Sequence, residues 1–326
     1  PARYIGGELN AVVKDKEKVD IRYAFCFPDT YEIGMSHLGM KILYGLVNDR
    51  DDSWCERVFA PDNDMEEQLR KNNVPLFALE SGDYIKDFDM IGFTLQYELS
   101  YTNILNMLNL AQIPLKSSDR ESLTPLICVG GPCACNPEPI TDFVDIVFLG
   151  DGEETTNQII DLLIKAKKNG LSKHEFLLKA KDITGIYVPS FYKDSYNDDG
   201  TLKSLEPLYD APKKVKKAVV SDMNSVYYPK EFVVPYINIV HDRAVEEIFR
   251  GCIRGCRFCQ AGFIYRPIRE KSVETINMQS KALIESTGYD ELSLCSLSTS
   301  DHSEVNKMLT TLIDWTVKDN INLSLP

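Results

Sequence analysis

Short apolar runs alternate with amphipathic stretches along the chain from residue 21 onward. This alternation is typical of a parallel sheet whose strands are joined by crossover helices. Buried strands are predicted at Ile21–Phe27 and at residues 88–95, 123–131 and 143–150, with shorter strands near 54–61 and 75–81. Amphipathic helices are predicted at residues 35–49, 65–72, 101–112 and 152–170. The pattern therefore predicts a doubly wound, Rossmann-like α/β sheet over about residues 20–170.

The composition changes between residues 187 and 238, where Asp, Asn, Gly, Pro and Lys become frequent. The run YNDDGTLK predicts a hairpin turn, and KKVKK is typical of a solvated linker or an edge strand. The strand–helix alternation resumes with strands at 244–251 and 291–297 and a helix at 272–286. We therefore divide the chain into an N-terminal extension (1–19), a Rossmann-like domain (20–186), a linker with a β-hairpin (187–238) and a second α/β region (239–326).

Charge and targeting signals narrow the function classes. The 36 basic and 49 acidic residues give a net charge of −13, which disfavours a protein that coats nucleic acid. No apolar run approaches the roughly 18 residues of a membrane-spanning helix, and the first residues do not resemble a secretory signal. We expect a cytoplasmic protein that does not engage a membrane.

Nine cysteines are present, and three of them, Cys252, Cys256 and Cys259, fall within eight residues. An odd count without a signal sequence indicates a reducing compartment and argues against disulfides. Three thiolates in one loop can bind three irons of a cubane cluster and leave the fourth iron without a protein ligand. Zinc is the weaker alternative, because structural zinc takes four ligands and His241, the nearest histidine, has no matching partner.

The run Cys252-Ile-Arg-Gly-Cys256-Arg-Phe-Cys259, between a predicted strand and a predicted helix, resembles the motif of the radical S-adenosylmethionine (SAM) superfamily. The flanking EEIFRG and QAGFIYRPIR strengthen the resemblance. It implies a [4Fe-4S] cluster on the three cysteines and SAM on the open iron, where reductive cleavage yields a 5′-deoxyadenosyl radical. It also implies a (β/α)6 barrel and places Phe258 near the adenine.

The polar segment after the strand at 291–297 occupies the place of the family's Gly-Gly-Glu-like stretch, which meets the methionine amino group. Here it reads Ser298-Thr299-Ser300-Asp301, which departs from the family pattern. Two interpretations stay open: the hydroxyls and the carboxylate accept hydrogen bonds from SAM, or they cap a helix N-terminus. Cys295, within the strand, is expected to be a buried core residue.

The first domain resembles the cobalamin (B12)-binding type of domain fused to many radical SAM enzymes, on the strength of GGP at Gly130–Gly131 and of FLGDGEE. Longer runs, among them FPDTYEIGMSHLG and GGPCACNPEP, resemble an uncharacterised bacterial subfamily of those enzymes. Gly130 and Gly131 are candidate ligand-contacting residues at the carboxyl edge of the sheet. The family's Asp-x-His-x-x-Gly cobalt-binding motif is missing, and His37 is either a ligand or part of a helix turn. Cobalamin is thus a further candidate cofactor.

The sequence favours a radical SAM iron–sulfur enzyme, with cobalamin-dependent methyl transfer as one candidate reaction. The alternatives are a non-catalytic electron-transfer or redox-sensing iron–sulfur protein and a zinc-stabilised regulatory domain. Expected partners are a reductant such as flavodoxin or ferredoxin and a substrate that is an RNA, a protein or a small molecule. Only 74 residues follow Cys252 (326 − 252), whereas a six-unit barrel needs roughly 30 or more residues per unit. We expect the chain to hold the N-terminal third of the barrel and to lack the remaining C-terminal part.

Overall fold

The computed structural model describes residues 1–325 as alternating strands and helices. The strands are β1 (Ile21–Phe27), β2 (Ser53–Phe59), β3 (Met90–Thr94), β4 (Leu126–Gly130), β5 (Ile146–Phe148), β6 (Ile186–Tyr187), β7 (Tyr192–Tyr196), β8 (Leu202–Pro207), β9 (Ala244–Glu247), β10 (Phe249–Arg250), β11 (Arg269–Glu270), β12 (Glu291–Cys295) and β13 (Asn322–Ser324). The helices are α1 (Tyr31–Gly34), α2 (Leu38–Asn48), α3 (Asn63–Asn72), α4 (Tyr101–Leu110), α5 (Glu153–Lys168), α6 (Lys173–Ala180), α7 (Ala261–Ile264), α8 (Val273–Thr287) and α9 (Val305–Thr316). The mixed α/β class expected from the sequence is confirmed.

Two compact units share the chain, and their limits differ from the domain limits that the sequence suggested. The large-sheet unit comprises residues 13–34 and 47–219. The small-sheet unit comprises residues 1–12, residues 35–46 and the chain from residue 220 onward. Most of α2, which we expected to be a crossover helix of the first sheet, therefore belongs to the small-sheet unit.

The large-sheet unit is built on a six-stranded sheet in the order β2-β1-β3-β4-β5-β6. Strands β1 to β5 pair in parallel, and β6 is added antiparallel to β5. Because β1 lies between β2 and β3, the chain reverses its direction of growth there, which is the switch point of a doubly wound sheet. The Rossmann-like topology is thus present. Its switch point lies between β1 and β3, where the carboxyl ends of the strands border a crevice.

Two strands of this sheet are buried along their whole length. All five residues of the central strand β3 are buried, as apolar runs in two-sided parallel sheets usually are, and so are all seven residues of β2 at the edge of the sheet. Two charged residues lie on β2: Glu56 pairs with Arg22, and Nε of Arg57 lies 2.6 Å from Oε1 of Glu80, whose side chain is buried. A buried guanidinium needs such a partner, because an unpaired charge in the core is costly.

The small-sheet unit contains a parallel sheet in the order β13-β12-β9. Leu292 and Leu294 of β12 are fully buried in a core that also includes Ile276 of α8 and Met308 of α9. Ile42 of α2 belongs to this same core, which explains why the helix is part of this unit. One face of the sheet is thereby covered with helices, as in the opening units of a βα barrel.

Three further sequence predictions concern a hairpin, a short strand and membrane-spanning helices. The predicted hairpin is confirmed as the antiparallel pair β7–β8. Residues 75–81 do not form a strand of the sheet; Phe77 makes only an isolated bridge with Tyr84. Among the described residues, no helix is both long enough and apolar enough to cross a membrane.

Candidate metal centre

The cysteine loop, residues 251–268, connects β10 to β11, which pair with each other in antiparallel fashion. Its base is therefore closed by a short two-stranded ribbon, while its tip projects from the fold. All six residues from 253 to 258 are exposed. The sequence places a long, polar, accessible loop directly after the first strands of the small-sheet unit.

Gly251 shows how tightly the base of this loop is packed. Its φ is +90°, and a Cβ on this residue would lie 2.7 Å from the carbonyl oxygen of Pro267 and 2.8 Å from Cα of Ile268. Both the backbone conformation and the neighbouring backbone exclude a side chain here. The glycine immediately before Cys252 thus lets the two ends of the loop approach each other.

A buried ion pair stabilises the same base. Nζ of Lys271, just after β11, lies 2.8 Å from Oε1 of Glu246 on β9, and both side chains are fully buried. The ammonium also donates to Oε1 of Gln279 on α8 at 2.7 Å and lies 3.6 Å from the ring centroid of Tyr228. Burial raises the pKa of Glu246 to about 8, and the charge of Lys271 opposes that shift. The pair fixes the strand before the loop to the strand after it.

The three motif thiols lie on the accessible part of this loop. Cys256 is exposed, Cys252 and Cys259 are half-buried, and all three are free thiols. The amide of Arg254 donates to Sγ of Cys252 at 3.4 Å, and the amide of Cys259 donates to the carbonyl oxygen of Cys256 at 3.1 Å. Within residues 1–325, no group of three or more His, Cys, Asp or Glu side chains is gathered closely enough to hold a metal ion.

The donor set nevertheless fits an iron–sulfur cluster. Three soft thiol ligands on one accessible loop match the preference of such clusters for cysteine. The thiols of Cys26, Cys55 and Cys128 are unsuited, because burial raises their pKa well above the ordinary range. All three motif thiols belong to the one loop between β10 and β11.

The other residues that the motif singled out are near this loop in the chain or in the sheet. Phe258 is 93% exposed, so its ring is free to cover a ligand. Thr299 is buried, and its Oγ1 is 2.8 Å from Oγ of Ser296, whereas Ser300 is exposed and Ser298 half-buried. Ser298, Thr299 and Ser300 follow β12, the parallel neighbour of β9, so they lie at the same carboxyl edge as the cysteine loop.

The segment after β12 does not cap a helix. Helix α9 begins at Val305, and its N-cap, Glu304, makes no side-chain capping bond. Asp301 instead accepts two hydrogen bonds from the guanidinium of Arg254, including one of 2.7 Å from Nε to Oδ2. The Arg254 hydrogen bond is the main reason why the pKa of Asp301 is lowered. The helix-cap interpretation of Asp301 is therefore replaced by an ion pair that the sequence did not reveal.

Cys295 occupies a different position from the one expected. Leu292 and Leu294 point into the core, so Cys295 and its register partner Glu247 lie on the opposite face of the sheet. Cys295 is half-buried rather than a core residue. Burial, followed by the charge of Glu247, raises its pKa to about 11, which keeps it a thiol.

The carboxyl edge of the large sheet is packed where the two candidate glycines lie. Gly131 has φ +106°, and a Cβ there would lie 2.8 Å from the carbonyl oxygen of Leu95. A Cβ on Gly130 would be 3.3 Å from Cβ of Phe148. Both glycines thus allow close approach of this unit's own chain, and binding of a ligand at these residues stays a prediction.

The crevice at the switch point is lined by other side chains. After β1 and β3 respectively come Asp29 and Tyr97, and the Tyr97 hydroxyl donates to Oδ2 of Asp29 at 2.8 Å. His37, the candidate cobalt ligand, belongs to the small-sheet unit. Its Nδ1 accepts a hydrogen bond from the amide of Met40 at 3.1 Å, so it lies just before α2 and bonds to the first turn of that helix. This geometry matches the helix-turn interpretation of His37.

Comparison with known proteins adds a family match. Residues 39–189 match the family described as "Radical SAM proteins, N-terminal". The uncharacterized protein MJ0966 of Methanocaldococcus jannaschii is 25% identical over 295 residues, which cover 90% of this chain and 53% of that protein. The chain thus spans about half the length of this curated relative.

Solved structures of a radical SAM methyltransferase have a similar fold. TsrM from Kitasatospora setae with cobalamin and a [4Fe-4S] cluster bound superimposes with a TM-score of 0.54 at 10% identity, over 93% of this chain and 53% of that one. TsrM with tryptophan substrate and the SAM analogue aza-SAM bound gives a TM-score of 0.58 at 11% identity, over 93% and 54%. Residues 39–189 are therefore similar to the N-terminal region of radical SAM proteins, and the fold of the chain is similar to that of TsrM.

Proposed function

We propose that this chain belongs to a radical SAM iron–sulfur enzyme. The observation that carries the proposal is the cysteine loop: three free thiols within eight residues, on an accessible loop at the carboxyl edge of a parallel sheet. The match of residues 39–189 to a radical SAM family and the fold shared with TsrM support it. The chain spans about half the length of its curated relative, so the activity of the whole protein is part of this proposal.

In this proposal, Cys252, Cys256 and Cys259 hold three irons of a [4Fe-4S] cluster. The bound cluster supplies the electron that cleaves SAM reductively. Phe258 covers the adenine, and the hydroxyls of Ser298 and Ser300 accept hydrogen bonds from the amino acid part of SAM. The rigid base of the loop, with Gly251 and the Glu246–Lys271 pair, keeps these groups at one edge of the small sheet.

The direct test uses the full-length protein, reconstituted anaerobically with iron and sulfide, reduced and mixed with SAM. We expect 5′-deoxyadenosine to accumulate in the wild type and not in a Cys256→Ala variant. An intact reduced cluster that forms no 5′-deoxyadenosine would contradict the enzyme proposal and favour an electron-transfer or redox-sensing protein. Tight zinc in place of iron after anaerobic purification would favour a zinc-stabilised domain.

We further propose cobalamin as a second cofactor, with methyl transfer to a poorly activated carbon as the reaction. The doubly wound sheet of the large-sheet unit favours this, since such sheets bind ligands at their switch point and TsrM, which shares the fold, has cobalamin bound. Asp29 and Tyr97, which follow the two strands at the switch point, are hydrogen-bonded to each other. Hydroxocobalamin added to the full-length protein should show a shifted absorption spectrum, and an unshifted spectrum with all of the cobalamin in the dialysate would contradict this part of the proposal.

The remaining functional predictions stay predictions. The proposed substrate is an RNA, a protein or a small molecule. A flavodoxin or ferredoxin is the proposed source of the electron, because cleavage of SAM consumes one electron for each reductive event. The acidic balance of the chain, at −13, disfavours an extensive RNA contact on this part of the protein.

A further inference from the structure

The ion pair between Arg254 and Asp301 joins the cysteine loop to the segment after β12. Arg254 stands midway between Cys252 and Cys256, and its Nε and Nη2 donate to the two oxygens of the Asp301 carboxylate. This fork-to-fork geometry uses two parallel charge-assisted hydrogen bonds and fixes orientation as well as distance. The Arg254 side chain is 58% exposed, whereas the Asp301 side chain is only 8% exposed. The acid thus belongs to the fixed part of the fold, and the arginine belongs to the accessible loop.

Asp301 is held in place by contacts that do not involve the cysteine loop. Its amide donates to the carbonyl oxygen of Ser298 at 2.8 Å. The next residue, His302, is buried, and its Nε2 is 3.0 Å from the carbonyl oxygen of Lys271. Ser303 then bonds Glu270 of β11 through both its amide and its hydroxyl. These contacts anchor the segment that carries Asp301 to the base of the loop.

The cysteine loop itself has few such anchors. In the part of the chain that the structure describes, the other hydrogen bonds of residues 252–259 stay within the loop, as between Arg254 and Cys252 or between Cys259 and Cys256. Residues 253–258 are all exposed, so packing does not restrain them either. The Arg254–Asp301 pair is accordingly the polar contact by which the tip of the loop is tied to a neighbouring element.

We propose that Asp301 is a positioning residue for the cysteine loop and not an acceptor for the methionine amino group of SAM. Through Arg254 it holds the thiol-bearing loop close to residues 298–300. It thereby sets the distance between the loop and these residues, which are the two segments that would contact SAM. Both carboxylate oxygens accept from Arg254, so the carboxylate is oriented towards the loop and its charge is paired there, and we assign the acceptor role to the neighbouring hydroxyls. This inference rests on the proposed function for the identity of the ligand, but not for the restraint on the loop.

The restraint can be tested on the protein before any cluster is loaded. Trypsin cleavage after Arg257 requires the loop to leave its folded position, and the cleaved peptide can be followed by mass spectrometry. We expect Asp301→Asn and Arg254→Gln to accelerate this cleavage about fivefold, as loss of a partly exposed ion pair should. Asp314→Asn, which removes an exposed carboxylate from α9 of the same unit, should leave the rate unchanged. Equal rates in the wild type and Asp301→Asn would overturn the proposal.

A second readout separates positioning from general stability. In the reconstituted protein, Asp301→Asn should weaken SAM binding about tenfold while the iron content stays at the wild-type level. The reason is that a small displacement of the cysteine loop misplaces the groups that contact SAM. Exchanging the two charges, with Arg254→Asp and Asp301→Arg together, should restore most of the binding. A swap no better than the single variants would show that Asp301 contacts SAM directly and would overturn the positioning role.

The two proposals fail in different ways. If the wild-type protein bound no cluster, the radical SAM proposal would fall, while the trypsin experiment on the unloaded protein would still decide whether Asp301 restrains the loop. If the cluster formed and SAM were cleaved equally well by Asp301→Asn with unchanged affinity, only the positioning role would fall.

Discussion

The carboxyl edges of the two parallel sheets differ in how their loops are packed. At the large sheet, Gly131 approaches the backbone of Leu95 so closely that a single methyl group would clash. At the small sheet, residues 253–258 are exposed, and one ion pair ties their tip to the rest of the unit. Glycines mark both edges, so a glycine pair alone does not identify a ligand site. The accessible edge is the one that carries soft metal-binding side chains, and this difference locates the proposed chemistry.

The largest expected effect tests the accessible edge. Replacing Cys252, Cys256 and Cys259 with alanine should reduce the iron of the reconstituted protein from about four atoms per chain to nearly none, because thiolates are the ligands of such clusters. Cys135→Ala is the matched control, as it removes an exposed thiol from the large-sheet unit. Iron and sulfide analysis measures both. Equal iron in the triple variant and the control would show that the cluster does not use these thiols.

In the large-sheet unit, where side chains are closely packed, substitutions should change the free energy of unfolding. Glu80→Gln leaves the buried guanidinium of Arg57 without its counter-charge and should lower the free energy of unfolding by about 3 kcal/mol. Trp54 reports on this unit in a Trp315→Phe background, since the chain has two tryptophans and one lies in each unit. Glu66→Gln, at a more exposed ion pair, should cost less than about 1 kcal/mol. Similar costs for both variants in urea unfolding would contradict the buried-pair account.

Gly131→Ala tests how tightly the carboxyl edge of the large sheet is packed. The substitution combines an unfavourable φ with a 2.8 Å contact to backbone, so it should lower the free energy of unfolding by about 2–4 kcal/mol. At Gly170, where φ is also positive but no atom lies within 4 Å, alanine should cost about 1 kcal/mol. Urea unfolding followed by Trp54 measures both. A Gly131→Ala variant as stable as Gly170→Ala would mean that the edge is less tightly packed than the structure indicates.

A smaller effect, of opposite sign, is expected in the core of the small-sheet unit. Nζ of Lys41 on α2 is buried without a hydrogen-bond partner among the described residues and lies 4.7 Å from the ring centroid of Phe232. Burial lowers the pKa of Lys41 from 10.5 to about 8, an effect that the nearby Asp242 opposes. Between these two values the unfolded chain binds more protons than the folded one, so stability should rise as pH increases from about 8 to about 10.5.

Lys41→Met should remove that pH dependence and raise the free energy of unfolding at pH 7 by about 2 kcal/mol. Trp315 fluorescence in a Trp54→Phe background follows the small-sheet unit, and Lys318→Met, at an exposed position, serves as the control. A wild-type protein whose stability is flat from pH 8 to 10, or a Lys41→Met variant that is less stable at pH 7, would show that the ammonium is satisfied in the fold.

The sequence predicted features that depend on local pattern. Strands β1 and β3 stand out because their apolar runs are continuous, and the cysteine loop because its spacing is local. The unit to which α2 belongs did not follow from its pattern, since an amphipathic helix shows that it has an apolar face but not which sheet covers it. The same limit applies to Asp301: its partner Arg254 is distant in the chain, and the run Ser-Thr-Ser-Asp equally suits a helix cap.

Contacts between segments that are distant in the chain also could not be predicted from the sequence. The pair Gly130–Gly131 indicates a turn, but only the structure shows that Leu95 fills the space beside it. The alternation of Leu292, Leu294 and Cys295 could have assigned Cys295 to the face opposite the core, because neighbouring strand positions point to opposite sides. That signal was available in the sequence and was outweighed by the general tendency of cysteine to be buried.

The most direct test of the account is the spectrum of the reduced, reconstituted protein before and after SAM is added. If Cys252, Cys256 and Cys259 hold three irons of a cluster, one iron of the four is open, and Mössbauer spectra of 57Fe-labelled protein should show about one quarter of the iron changing its environment when SAM binds. A spectrum that does not change at saturating SAM would show a cluster with no open iron and would contradict the radical SAM assignment.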